Sequence, residues 1–296
     1  MNNDANNVFV QKKKLALALG GGGSRALCHL GILHALANAG IRVDAIAGNS
    51  MGALIGAVYA SHLDAARTRS DVGAFFYKDS AFGGKRKGDG LEHGSGVWIW
   101  CKRCLRALVI SLNLSFRKGF LWGNPCKKAI ATLLPDIKIE ALKIPFSSVT
   151  LNLTDGRLEN ITSGSLREAV YAGTNVGVVF APFRWHDKSY IDAAPVRSVP
   201  AAEARALGGE VVLAVDIRSR LPENYSIQNG MDVIMRLEQI ESNLINEQTL
   251  NDADLVLRPQ VSGVFWGDFS RTEEIIKIGE DAVAGILPRL RELLGT

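Results

Sequence analysis

The sequence is short of the residues on which several classes of protein depend. Of its 296 residues only 4 are cysteines, too few for a disulfide scaffold in a chain of this length. Charged residues interrupt every apolar run before it reaches the roughly 18 residues that a membrane span needs. The basic segment Lys12–Lys14 is followed by LALALGGGG and not by the apolar core of a signal peptide. These absences predict a reduced, cytoplasmic protein, for which membrane association stays open.

The net charge of +4 is unevenly distributed. Residues 78–128 hold 11 Lys or Arg against 3 Asp or Glu, among glycines and aromatic residues. We interpret the stretch at about 79–122 as an insertion or lid. It is either a surface that contacts anionic membrane or a packed helix beside a solvated loop. Nucleic-acid binding is not expected, because no recognised fold motif accompanies the charge.

Short apolar runs alternate with segments of helical spacing along the rest of the chain. This alternation predicts an α/β protein, in which a central, mostly parallel sheet carries helices on both faces. We expect a polar tail at residues 1–13 and one domain at 14–296. The predicted strands lie at 14–19, 44–47, 145–154, 158–162, 189–191, 210–217 and 253–258, and the predicted helices at 24–36, 51–61, 165–171, 195–208, 231–249 and 272–294.

Ser50 lies between two glycines in the stretch GNSMG, with a predicted strand before it and a predicted helix after it. A sharp strand-to-helix turn of this kind exposes a serine hydroxyl at the edge of a sheet, as a nucleophile requires. The alternative is a structural role, in which the Ser50 side chain caps the N-terminus of the helix.

Four consecutive glycines, Gly20–Gly23, follow the first predicted strand. Their amides and the positive end of the next helix can converge on one anion. No G-K-[ST] follows, so a nucleoside-triphosphate loop is not expected. A dinucleotide-binding loop is a possible alternative, because Ala26 completes a G-x-G-x-x-A pattern and Asp44 lies about 20 residues further on. The loop is one βα unit away from Ser50, which favours a role as an oxyanion hole beside a nucleophile.

A nucleophilic serine needs a proton acceptor, and histidines are scarce. An α/β-hydrolase places its catalytic histidine near the C-terminus, but the last histidine here is His186. His62 and His93 are the others that follow Ser50. Asp192, in SYIDAAPVRSVPA, ends a predicted strand where a carboxylate could face the same sheet edge. The residues therefore leave His186 and Asp192 as candidate bases.

The motifs GGGGSR, GNSMG and DAAP, in this order and at these separations, resemble those of the patatin-like phospholipases. The similarity runs from about residue 14 to the C-terminus and is poor only in the basic, aromatic segment. It implies a three-layer α/β/α fold and a serine lipid acyl hydrolase of the phospholipase A or esterase type. Such an enzyme cleaves fatty-acyl esters through a Ser-Asp dyad and an acyl-enzyme, without a metal or other cofactor.

The resemblance also implies roles for individual residues. Ser50 corresponds to the nucleophile and Asp192 to its base. The oxyanion hole would be formed by Gly21, Gly22, Gly23 and Met51, with Arg25 at the basic position of the glycine loop. Alanine replaces glycine after Arg25 and after Asp192, at Ala26 and Ala193. Because glycine tolerates positive φ and alanine resists it, the alternative is a catalytically impaired protein that keeps the fold and binds lipid or a partner.

Overall fold

A computed structural model describes residues 11–78, 125–177, 179–218, 221, 224–261 and 263–296. The expected insertion at about 79–122 lies outside these residues, as does most of the expected tail. The amides of Lys12 and Lys13 both donate to the carbonyl of Leu294, at 3.2 and 3.3 Å. Residues 12 and 13, expected in the tail, are therefore hydrogen-bonded to the domain.

The described chain contains eight strands and eight α-helices. The strands are β1 (Leu15–Leu19), β2 (Ala45–Gly48), β3 (Phe146–Asn152), β4 (Arg157–Ile161), β5 (Phe183–Trp185), β6 (Lys188–Asp192), β7 (Val211–Val215) and β8 (Leu255–Leu257). The α-helices are α1 (Cys28–Asn38), α2 (Met51–His62), α3 (Ala65–Lys78), α4 (Pro125–Leu133), α5 (Leu166–Thr174), α6 (Ala201–Ala206), α7 (Gly230–Thr249) and α8 (Thr272–Leu294). None of these helices is both long enough and apolar enough to cross a membrane.

All eight strands join one mixed sheet. Strands β3, β2, β1, β7 and β8 are neighbours in this order and run parallel. Strand β3 also pairs antiparallel with β4 on one edge and with β6 on the other, and β5 pairs antiparallel with β6. The expected parallel centre is confirmed, with an antiparallel end added to it.

The alternating sequence of β1, LALAL, builds both faces of the sheet. Its leucines point into the larger core, against α1, α2 and α8, whereas Ala16 and Ala18 point into a smaller cluster with Ala201 and Ala204 of α6. Side chains alternate between faces along a strand, so the large residues fill the thick layer and the alanines admit α6 closely. Helices cover both faces, as expected for a three-layer α/β/α protein.

The predicted helix at 195–208 is shorter than expected. Only Ala201–Ala206 is helical, because the amides of Val196 and Arg197 fold back onto the carbonyl of Ala193, at 3.0 and 2.7 Å. Two prolines in this segment also remove helical N–H donors. Helices α3 and α4 and the three-residue strand β5 were not predicted, and β5 is too short to show an apolar period.

Candidate active site

Ser50 lies at the sharp elbow between β2 and α2. Its backbone has φ 53° and ψ −131°, a positive φ that is uncommon for a residue with a side chain. Such a conformation costs about 1–3 kcal/mol and persists only where the surrounding structure imposes it. Ser50 precedes α2 but forms no side-chain cap hydrogen bond, so the capping interpretation is wrong. The Ser50 hydroxyl is therefore not used to cap α2 and can interact with a substrate or with a neighbouring side chain.

The sheet brings Asp192 to Ser50 by an arrangement of three strands. Strand β2 pairs with β3 up to Ser148, and β6 pairs with β3 from the opposite direction, with Asp192 opposite Thr150. Because β4 occupies the other edge of β3 along both stretches, β2 and β6 share one edge and run towards each other. Their ends are two β3 residues apart, about 7 Å. The residues that follow β2 therefore meet the end of β6.

The Asp192 carboxyl is buried, with 4% of the residue exposed. It accepts a hydrogen bond from the amide of Ala194 at 2.8 Å. Burial raises its pKa above the ordinary value, and the nearby side chains of Ser50 and Asn49, with the Ala194 amide, oppose this rise only in part. No cation of the described residues is among the groups that shift this pKa. Asp192 is thus a carboxylate next to a serine hydroxyl, with a raised proton affinity.

Asn49 is fully buried beside this pair and was not singled out from the sequence. Its amide lies near enough to Asp192 to lower the pKa of that carboxyl, yet neither its nitrogen nor its oxygen has a partner in full hydrogen-bonding geometry among the described residues. The contact is therefore an electrostatic one at longer range. Its backbone carbonyl accepts from the amides of Gly52 and Ala53, at 2.9 and 3.3 Å. Asn49 consequently helps to fix the elbow.

The glycine loop lies directly against Ser50, as the spacing predicted. In the pairing of β1 with β2, Leu19 is opposite Gly48, so the segments that follow the two strands are adjacent. A Cβ atom at Gly21 would lie 2.8 Å from the Cβ of Ser50, which is too close for any side chain. At Gly23, φ is +59° and a Cβ would lie 2.1 Å from the carbonyl oxygen of Trp266. Both positions require glycine.

The loop amides are not equally available. The amide of Gly21 donates to the carbonyl of Ser198 at 3.1 Å, and that of Ser24 to the carbonyl of Trp266 at 2.7 Å. Within the described part of the chain, the amides of Gly22 and Gly23 have no such acceptor. Gly21 shapes the loop beside Ser50, whereas Gly22 and Gly23 have amides free for a ligand.

His29 holds the glycine loop by a hydrogen bond to its first residue, a role that the sequence context of His29 did not reveal. Its Nε2–H donates to the carbonyl of Gly20 at 2.9 Å. Burial lowers its pKa to about 4, so the ring is neutral near pH 7. Arg25 also holds the loop, because its Nε donates to the carbonyl of Gly22 at 3.2 Å. Burial lowers the pKa of Arg25, while Asp216 opposes that shift.

The described histidines do not reach Ser50 as a base would. His186 is exposed, with φ 47°, in the turn between β5 and β6, and the length of β6, about 13 Å, separates it from Asp192. His62 ends α2, about 17 Å from the elbow at its start. His93 lies outside the described residues. The alternative triad through His186 is therefore wrong.

The two departures from the family pattern cause no backbone strain. Neither Ala26 nor Ala193 has a positive φ. Ala26 lies in the 3₁₀ turn Gly23–Leu27, and Ala193 accepts the turn hydrogen bonds that follow Asp192. Alanine therefore fits at both positions, and the argument for an impaired site loses its structural basis.

The dinucleotide alternative fails at Asp44. Asp44 precedes β2, and its carboxylate accepts from the amide of Leu15 at 2.9 Å and from Arg42 at 2.6 Å. These contacts lie at the N-terminal edge of the sheet, the opposite edge from the glycine loop. A ribose held at Asp44 could not extend from a pyrophosphate on that loop.

Asn246 of α7 joins the two loops of the site and was not identified from the sequence. Its Oδ1 accepts from the amide of Ser198 at 2.5 Å, and its Nδ2 donates to the carbonyl of Ala194 at 3.2 Å. Ser198 in turn accepts from Gly21, and Ala194 donates to Asp192. One buried side chain thus connects the glycine loop to the Asp192 turn.

Ser50, Asp192 and Arg25 line one cleft of about 970 Å³. Its apolar lining includes Leu153, Val176, Ile191, Leu221 and Trp266, beside the glycines Gly21, Gly22 and Gly23. Arg218 and polar residues of α7 line it as well. A cleft in which a hydroxyl–carboxylate pair lies among apolar side chains fits a substrate with a polar reacting group and an apolar part.

A family model described as "Patatin-like phospholipase" matches residues 17–205. The chain belongs to the patatin-like phospholipase family. It is 25% identical to lysophospholipase NTE1 of Yarrowia lipolytica over 94% of this chain, and 28% identical to human patatin-like phospholipase domain-containing protein 6 over 70% of it. It spans only 20% and 13% of those two relatives.

The fold also resembles VipD from Legionella pneumophila, with a TM-score of 0.53 at 14% sequence identity. The match covers 95% of this chain and 67% of that protein. At this identity the likeness concerns the fold alone. It agrees with a patatin-like α/β architecture.

Proposed function

We propose that the protein is a serine lipid acyl hydrolase that cleaves fatty-acyl esters through a Ser50–Asp192 dyad. One observation carries the proposal: Ser50, on a strained elbow, lies beside a buried carboxylate that no cation of the described residues neutralises, and both line one cleft. A base for a serine hydroxyl needs a higher proton affinity than a solvated aspartate, whose pKa is about 3.9. Burial of Asp192 acts in that direction.

In the first step the Ser50 oxygen attacks the ester carbonyl and its proton passes to Asp192. The carbonyl oxygen becomes negative as the new C–O bond forms. The amides of Gly22, Gly23 and Met51 are the proposed donors to it, Met51 because the first amides of a helix lack intrahelical acceptors. Each such donor is typically worth about 3 kcal/mol.

The tetrahedral intermediate collapses when the bond to the leaving alcohol breaks, and the alcohol takes the proton from Asp192. An acyl group then remains on Ser50. Water attacks this ester after giving a proton to Asp192, the fatty acid leaves, and the proton returns to Ser50. This mechanism uses Ser50, the Asp192 carboxylate, the oxyanion donors and water, and none of its steps involves a metal or other cofactor.

The substrate is proposed to be a lipid ester of the lysophospholipid type. The apolar lining of the cleft beyond Ser50 suits an acyl chain, and the names of the relatives include lysophospholipase. Arg25 and Arg218 also line the cleft. The relatives are 25% and 28% identical to this chain, which spans only 20% and 13% of their length, so the lysophospholipid class belongs to the proposal.

The test measures hydrolysis of a short-chain p-nitrophenyl ester and of lysophosphatidylcholine by wild type, Ser50→Ala and Asp192→Asn. A fluorophosphonate probe followed by peptide mass mapping identifies the residue that forms the covalent adduct. Ser270→Ala, a change at an exposed serine, is the matched control. We expect turnover in wild type and control, a loss of about 10²–10⁴-fold in Asp192→Asn and at least as large a loss in Ser50→Ala, and labelling of Ser50. An inert wild type, or an adduct on another residue, would overturn the proposal.

A further inference from the structure

Helix α7 has its polar and apolar sides in the reverse of the usual arrangement. Its buried residues are Asn246 and Thr249, both polar. Seven of its large apolar side chains are between 41% and 62% exposed. We call this surface the apolar face of α7; it consists of Met231, Val233, Ile234, Met235, Leu237, Leu244 and Ile245. A surface helix normally turns such residues to the core, so an exposed set of this size indicates an external apolar partner.

The apolar face continues to the mouth of the cleft. Residues Glu238, Gln239, Ser242 and Asn243 of the same helix line the cleft that contains Ser50. Trp266 and Leu153 line it too, and they are 50% and 47% exposed. The neighbouring Phe265 is 51% exposed. Exposed apolar side chains thus lie beside the cleft where its lining, at Trp266 and Leu153, reaches the surface.

The charges of α7 give no attraction to an acidic surface. The helix carries one basic residue, Arg236, against four acidic ones, Asp232, Glu238, Glu241 and Glu247. Lipid headgroups that carry both charges, as in phosphatidylcholine, would not repel such a helix. The driving force for docking must then be apolar burial, which salt does not weaken.

We propose that the apolar face of α7, together with Phe265 and Trp266, docks onto the surface of a zwitterionic lipid bilayer and sets the mouth of the cleft against it. This inference rests on the proposed function, because the docked position would let a lipid ester pass from the bilayer to Ser50 without crossing water. A second copy of the chain on this face would obstruct that mouth, which argues for lipid as the occupant.

The experiment measures sedimentation of the full chain with phosphatidylcholine vesicles, and separately with acidic vesicles that contain phosphatidylserine, at about 50 mM and about 500 mM NaCl, where the screening length falls more than twofold. The variant Ile234→Glu/Leu244→Glu places two charges on the face, at residues 62% and 60% exposed. The matched control, Asn160→Asp/Gln260→Glu, adds the same charge at exposed polar residues that do not belong to α7. Circular dichroism, light scattering and hydrolysis of a water-soluble ester accompany each protein.

We expect wild type and control to bind these vesicles equally at both salt concentrations. The Ile234→Glu/Leu244→Glu protein should lose at least about tenfold in binding, because two charged side chains replace two apolar ones at the interface. Its hydrolysis of the soluble ester should be unchanged. This soluble reaction separates the two proposals: if no protein hydrolyses the ester, the proposed function fails while vesicle binding still tests the docking surface.

Three results would overturn the docking proposal. Wild type could fail to bind zwitterionic vesicles, as expected if residues 79–124 or another part of the chain covers the face. It could bind only acidic vesicles and release them at high salt, which would assign docking to the basic segment. It could also form a dimer that the glutamates dissociate, which would make the face a contact between two copies.

Discussion

Asp192 and Asp216 are both buried carboxylates at the ends of strands, yet the protein shifts their pKa values in opposite directions. Asp192 ends β6 and Asp216 follows β7, with 4% and 7% of each residue exposed. At Asp192 burial dominates and raises the pKa. At Asp216 burial also acts to raise it, but hydrogen bonds and charge from Arg218, with help from Arg258, hold the pKa below its ordinary value.

The contacts explain the difference. The Asp216 carboxylate accepts from Nε and Nη2 of Arg218, at 2.9 and 2.8 Å, and from Nε of Arg258 at 3.2 Å. Asp192 accepts instead from a neutral amide and contacts a hydroxyl. Burial alone does not mark a functional carboxylate; the lack of a compensating cation does. Asp216 stabilises the fold, and Asp192 is the candidate base.

The largest expected effect separates the two carboxylates by activity. Asp192→Asn should lower ester hydrolysis by about 10²–10⁴-fold, because an amide cannot accept the serine proton. Asp216→Asn should stay within about threefold per folded molecule, since Asp216 makes no contact with Ser50 in the described structure. Steady-state kinetics of the two purified variants, corrected for the folded fraction, measure this. Equal losses in both would remove the distinction.

Substitution of the same two carboxylates should change the free energy of unfolding in opposite directions, with a gain for Asp192→Asn and a loss for Asp216→Asn. The raised pKa of Asp192 means that its ionised form is disfavoured in the folded state, a cost that is absent at low pH and appears as pH rises through that pKa. Asp192→Asn keeps an acceptor for Ala194, so it should increase the free energy of unfolding at pH 8 by about 0.5–2 kcal/mol. Denaturant unfolding at pH 8 and at about pH 4 tests this; the gain should shrink at the lower pH.

Much of this site was predictable because its parts are local in sequence. Residues 15–19 alternate large and small apolar side chains, and GNSMG lies between a strand and a helix. Parallel pairing of the two strands then places the glycine loop beside Ser50, so this half follows from one βα unit.

Contacts between distant residues could not be predicted in the same way. Asp192 reaches Ser50, 142 residues earlier in the chain, only because β6 runs towards β2 along one edge of β3, and no local pattern specifies this arrangement. Asn246 looks in the sequence like any polar residue of a long helix. The outward apolar face of α7 could not be predicted either, because an amphipathic period predicts that the apolar side packs against the core, the opposite of what α7 shows.

The next largest effect concerns Asn246, which joins the loops of the Asp192 site. Asn246→Ala removes the acceptor for the Ser198 amide and the donor to the Ala194 carbonyl. We expect kcat to fall about 10–100-fold with KM little changed, because the turn that aims Asp192 loosens while the cleft remains. The exposed Gln248→Ala in the same helix is the control. A loss of stability with unchanged kcat would limit Asn246 to a structural role.

A smaller effect is expected in the stability of Asp216→Asn. Removing its charge leaves Arg218, which is mostly buried, with weaker partners, so the free energy of unfolding at pH 7 should fall by about 1–3 kcal/mol. Because the pKa of Asp216 is lowered in the folded state, its contribution is complete above the unfolded pKa and is lost as pH falls through the folded one. The difference between variant and wild type should therefore diminish in acid. A difference that grows in acid would contradict the assignment.

The smallest expected effect tests whether the buried carboxylate Asp216 contributes more to the free energy of unfolding than the exposed carboxylate Glu247, which pairs with the same arginines. Glu247 accepts from Nη2 of Arg218 at 2.8 Å and from Nη2 of Arg258 at 3.0 Å, but 49% of its side chain is exposed. Solvent screens such pairs, so Glu247→Gln should cost at most about 1 kcal/mol and less at high salt. Denaturant unfolding at two salt concentrations measures this beside Asp216→Asn. If Glu247→Gln costs as much as Asp216→Asn, the arginines depend on both carboxylates equally, and the buried position of Asp216 no longer explains its role.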